Sequence, residues 1–147
     1  HKVIPTLTPK LAPGVTLEQL ITTFVQRYID AVREAPFIPF YVLSEAAHHP
    51  ERLESLMRAA IGTIPRAVVA EAAPIVERLI AERVAAGAMR PMNPVQLLVN
   101  VMALTVFPFL ARPMLNAALG FDDAGFQRFL DERREELPRF ILAALRP

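Results

Sequence analysis

Apolar residues recur along most of this chain with the period of a helix. Between Thr16 and Glu34 they stand at Leu17, Leu20, Ile21, Phe24, Val25, Tyr28, Ile29 and Val32. That i, i+3, i+4, i+7 spacing gathers them on one face of a helix and would scatter them over both faces of a strand. No segment shows strand alternation between hairpin turns, and no repeat of solenoid period is present. The expected fold class is therefore all-α, a bundle of about six helices.

Local signals set the boundaries. Thr16 and Gln19 have the spacing of a capping box, Val15 and Leu20 can staple the same helix start, and Pro36 ends the helix. A short helix is predicted over about 37–47. There Phe37, Ile38, Phe40, Tyr41, Val42 and Leu43 are apolar almost all round, which predicts burial on several sides, and Pro39 fits only a first turn. Pro50 suits the start of the next helix, with the stripe Leu53, Leu56, Met57, Ala60 and Ile61. Gly62 and Pro65 break the pattern. A helix over about 66–86 should turn Val68, Val69, Ala72, Ile75, Val76, Leu79, Ile80 and Val84 inward and kink at Pro74, with Gly87 after its end. Asn93-Pro94 reads as a cap and first residue of a long helix towards Leu119, bent or interrupted around Pro108 and Pro113 and stopped by Gly120. Asp122 or Asp123 caps a last helix, whose stripe is Phe126, Phe129, Leu130, Arg133, Leu137, Phe140, Ile141, Ala144 and Leu145, with a kink expected at Pro138.

With 147 residues and 53% hydrophobic content, one domain with a sizeable core is expected, and disorder is not. Residues 1–15 read as an extended lead-in and 16–147 as the domain. The absence of cysteine excludes a disulfide scaffold, a thiolate zinc site, an iron–sulfur cluster and a cysteine nucleophile. A net charge of +1 leaves no overall electrostatic footprint for nucleic acid. The charge-free run from Pro91 to Ala111 is long enough to cross a bilayer, but Asn93, Gln96, Asn100, Thr105 and three prolines lower its hydropathy. A buried helix, and no membrane role, is the expectation.

Few residues suggest chemistry. His48 and His49 stand near Glu45 and Glu51, but Pro50 follows directly and further ligands are not evident, so they are read as solvated turn histidines. Ser44 and Ser55 lie in no nucleophile elbow, and five scattered glycines supply no phosphate loop. The charges from Arg128 to Arg139 alternate as on a solvated helix face. The chain is therefore not expected to be an enzyme or to need a cofactor or metal. What stands out is a surplus of apolar helix surface over 94–119, for which a second copy is the natural cover. Phe24, Tyr28, Phe40, Tyr41, Met57, Met102 and Phe107 are candidate walls of an apolar cavity, and Tyr28 and Asn100 are candidate groups to orient a ligand.

Two stretches resemble a known family. YIDAVREAPFIPFYVLSEAAHHPERL over 28–53 is similar to the middle of the regulatory domain of TetR-family transcriptional repressors. ERVAAGAMRPMNPVQLLVNVMALTVFPFLARPML over 82–115 resembles that family's turn Gly87, Arg90, Asn93, Pro94 and its buried helix broken at Phe107-Pro108-Phe109. The resemblance runs from about Val15 to Pro147. It implies a cytoplasmic repressor whose helical domain binds a small lipophilic effector and dimerises through its last two helices. It implies pocket roles for Phe24, Tyr28, Phe40, Met57, Asn100 and Met102. Dimer roles would fall to Phe109, Leu115, Phe126, Phe129, Leu130, Arg133 and Leu137. The family's N-terminal helix-turn-helix has no counterpart here, so any operator contact is expected of that missing part. The alternative is a stand-alone helical carrier or interaction module with no DNA role.

Overall fold

The computed structural model describes residues 14–63 and 65–147. The lead-in expected over 1–15 falls almost wholly outside them. Seven α-helices are described: α1 (Leu17–Glu34), α2 (Ile38–His48), α3 (Leu53–Ile61), α4 (Pro65–Ala85), α5 (Pro94–Leu110), α6 (Arg112–Leu119) and α7 (Asp123–Ala144). A single 3₁₀ turn over Pro50–Arg52 leads into α3. No strand occurs among the described residues, so the chain is all-α, as its periodicity predicts.

The caps form where the sequence placed them. Thr16 accepts from the Gln19 amide while the Gln19 side chain accepts from the Thr16 amide, closing the capping box. Asn93 Oδ1 accepts from the amides of Val95 and Gln96 at 2.8 and 3.3 Å. Asp122 Oδ1 accepts from the Gly125 amide at 2.7 Å. Gly120 ends α6 at φ 69°, a left-handed conformation that a Cβ would strain.

The core is built on α1 and α7. Leu17, Ile21, Val25, Ile29 and Val32 form a buried line on α1, and α7 sets Phe126, Leu130, Leu137 and Ile141 against it. α5 closes the core with Leu97, Val101, Thr105 and Phe109, and α4 adds Leu79 and Ile80. Each fully buried aliphatic side chain contributes about 1.5–3 kcal/mol of transfer free energy. Polar ties pin the register. Arg134 grips Asp30 with two bonds of 2.9 and 2.8 Å, and Arg33 reaches Asp131 at 2.8 Å. The α7 charges therefore serve the contact with α1 as well as the solvated face. Arg83 pairs with Glu18 to bring the end of α4 to the start of α1. Arg90 closes the far end, donating from its amide to the Leu145 carbonyl at 3.0 Å and from Nε to the Ala144 carbonyl at 2.9 Å.

Two expectations of burial are corrected. α2 buries none of its residues, and Phe37 stays 81% exposed. Its main neighbours are α3, the 3₁₀ turn and α5, none of which covers it fully. α4 buries only its C-terminal half: Leu79 and Ile80 are inside, while Val69 is exposed. The helix over 94–119 is interrupted at Ala111, between Pro108 and Pro113 as expected, and its two parts meet at a bend of 69°. No single described helix is long and apolar enough to cross a membrane.

Leu130→Ala should cost about 2–5 kcal/mol, because it empties space at the α1–α7 contact. Phe40→Ala, out on α2, should stay within about 0.5 kcal/mol. Urea unfolding followed by circular dichroism checks both values.

Candidate functional site

Aromatic rings form a continuous ladder through the core. Phe24 meets Tyr28 at a centroid distance of 5.9 Å, Tyr28 meets Phe109 at 6.3 Å, and Phe109 meets Phe126 edge-on at 6.4 Å. Phe126 then meets Phe129 at 5.9 Å, and Phe129 meets Phe121 at 5.5 Å. These separations lie in the range of favourable aromatic pairs. The ladder joins two groups that the sequence treats separately: Phe24 and Tyr28 from the expected pocket, and Phe109, Phe126 and Phe129 from the expected dimer seam. Burial pushes the Tyr28 hydroxyl up to about 12 from an ordinary 10.0.

The remaining expected pocket residues do not gather at Tyr28. Phe40 and Asn100 are exposed, Met102 sits at the margin of exposure, and Met57 is half-buried on α3. The expected seam divides as well. Phe109, Phe126, Leu130 and Leu137 are buried in the chain's own core, so they have no surface to give a partner. Leu115, Phe129 and Arg133 are half-buried. An apolar stripe on α7 is needed in either case, and here it is spent on α1.

Arg133 has a role set by a proline. In a helix the carbonyl of residue 104 would accept from the amide of residue 108. Residue 108 is proline and has no amide hydrogen. Arg133 Nη2 donates to the Leu104 carbonyl at 2.7 Å instead, and its guanidinium lies 5.8 Å from the Phe129 ring centre. Its Nε is buried with no protein partner. Burial lowers its pKa. The same arrangement recurs at Pro138, whose missing hydrogen releases the Arg134 carbonyl; Gln26 Nε2 donates to it at 3.3 Å. The sequence carried a sign of the first case, an arginine inside the apolar stripe of the last helix. Gln26 gave no such sign.

A cleft of about 60 Å³ opens where the end of α1, the α5–α6 junction and α7 meet. Val32, Arg33, Pro36, Phe109, Arg112, Phe126, Gln127 and Leu130 line it. None of the six expected pocket residues does. Arg33, Arg112 and Gln127 were not singled out in the sequence.

The histidines stay at the end of α2. His48 Nδ1 lies 2.8 Å from the Ser44 carbonyl oxygen, and His49 Nδ1 lies 3.5 Å from Glu51. Among the described residues no three metal-ligating side chains come together. Comparison of the chain with family models, characterised proteins and solved structures finds no match.

Two outcomes are expected. Arg133→Met should cost about 1–3 kcal/mol by stranding the Leu104 carbonyl. Adding Pro108→Ala restores an amide to that carbonyl, so a double-mutant cycle should show a coupling of about 1 kcal/mol. Tyr28 should ionise only near pH 12, whereas it ionises near 10 in the unfolded chain. The unfolded state then loses its proton first, so this contribution to stability is complete below pH 10 and declines between 10 and 12. Tyrosinate absorbance and urea midpoints over that range, against Tyr28→Phe, check the sign.

Proposed function

We propose that this chain is the effector-binding and dimerisation domain of a TetR-like transcriptional repressor, which releases DNA when a small lipophilic effector binds. One observation carries the dimer part. Val95, Val99, Met102 and Val106 recur at heptad spacing along the outer face of α5. Val95 is 58%, Val99 55% and Met102 36% exposed, and Val106 is half-buried. A helix that is apolar on its outer face as well as its inner one needs a partner there. A second copy offers the same stripe, and two such stripes pack across a two-fold axis as part of a four-helix bundle. The seam therefore lies on α5 rather than on the core face of α7.

The resemblance supports the regulatory part. Its turn residues fall between α4 and α5, where Gly87 adopts φ 70°, Asn93 caps α5 and Arg90 holds the end of α7. Its Phe107-Pro108-Phe109 break stands just before the 69° bend. The ladder from Phe24 to Phe109 runs from α1 to that break, so a ligand at Tyr28 would bear on both elements. Signalling then requires the effector to bind the DNA-incompetent arrangement more tightly. On this reading the described helices sense the effector and do not themselves read DNA bases, and the proposed site of action is the cytoplasm.

Sedimentation at micromolar concentration should give a dimer. Val99→Glu should give a monomer of unchanged helicity, because it places a charge in the seam. A stable monomer from the unmodified chain overturns the proposal. Native mass spectrometry of the same sample reports any co-purified ligand.

A further inference from the structure

We infer that the cleft between α1, the α5–α6 junction and α7 binds the carboxylate head of a small amphipathic acid. The inference stands on the cleft's own chemistry and does not depend on the regulatory reading.

Two guanidiniums reach the cleft from different helices, Arg33 from α1 and Arg112 from the start of α6. Arginine carries five donors in a planar fork that matches a carboxylate. Arg33 commits Nη2 to the Gln127 carbonyl at 2.7 Å and to Asp131 at 2.8 Å. Its Nε is buried with no protein partner. Arg112 lies 4.4 Å from the Phe126 ring centre and touches one carboxylate, Asp123, at 3.3 Å. The Asp131 and Asp123 side chains are 68% and 98% exposed. Both are weak, water-screened partners that an anion inside the cleft can displace.

The floor selects the kind of anion. Val32, Pro36, Phe109, Phe126 and Leu130 are apolar, so a free phosphate would give up hydration there with little return. A carboxylate on a short hydrocarbon keeps its charge at the arginines and lays its carbons on the rings. The size agrees: about 60 Å³ holds about four to six water-sized groups. That accommodates a carboxyl group and a few carbons; a longer tail would have to leave through the mouth. Arg112 follows directly on the bend at the end of α5, so the bend sets its place in the cleft.

Butyrate titrated into the intact chain, followed by amide NMR shifts or calorimetry, should show saturable millimolar binding that moves signals of the cleft residues. Butanol, of the same carbon length, should bind at least tenfold more weakly, and so should inorganic phosphate. Arg112→Gln should weaken butyrate at least tenfold. Asp123→Asn removes the competing carboxylate at an exposed position and should tighten butyrate two- to tenfold. Equal binding of butanol overturns the inference. So does phosphate binding as tightly as butyrate, butyrate affinity unchanged in Arg112→Gln, or weaker binding in Asp123→Asn. Should Arg112→Gln fail to fold, the Asp123→Asn result and the ligand series decide alone.

Discussion

A proline inside a helix leaves the carbonyl four residues earlier without its donor, and that carbonyl must find another or stay in water. α4, α5 and α7 each carry such a proline. In the latter two, the released carbonyl is met by a side chain from a neighbouring helix: Arg133 on α7 serves Leu104 on α5, and Gln26 on α1 serves Arg134 on α7. The defects in two helices thereby become bonds between three. Because a hydrogen bond has a narrow geometry, each fixes register more tightly than apolar contact does. The line of core residues on α1, the bidentate grip of Arg134 on Asp30 and most of the aromatic ladder lie in the same contact between α1, α5 and α7.

The same packing decides what stays outside. With α7 lying along α1, the core has one well-covered side. α2 is carried beyond it at Pro36, and α5 keeps one apolar face inward and another outward. The exposed residues of α5 form a stripe with a helical repeat, the shape of an interface. Those of α2 surround the helix and define no single direction. That difference favours α5 as the face for the proposed second copy.

Much of the fold could be read in the sequence because its instructions are local. Thr16 with Gln19, Asn93 with Pro94, Asp122, Gly62 and Gly120 each act within a few residues, and the helices begin and end beside them. What covers a helix is not local. The stripe through Phe126, Leu130 and Leu137 marks a face to be buried, yet it reads the same whether α1 or a second copy buries it. The apolar run of α2 suggested burial that its position denies. The cleft was hidden for a related reason: Arg33, Arg112 and Gln127 come from three separate segments, and nothing in the spacing of any one points to the others.

The pairing of α1 with α7 also bears on synthesis. Asp30 and Arg134 stand 104 positions apart. At about 5–20 residues per second, the buried face of α1 waits roughly 5–20 s for its cover. Over that interval Leu17, Ile21, Val25, Ile29 and Val32 can meet α4 and α5 but lack their most extensive cover, so the first described helix is among the last to be fully protected. This topology makes chaperone demand a property of the chain's first described helix, and the aggregation risk of a slow or stalled ribosome is set there.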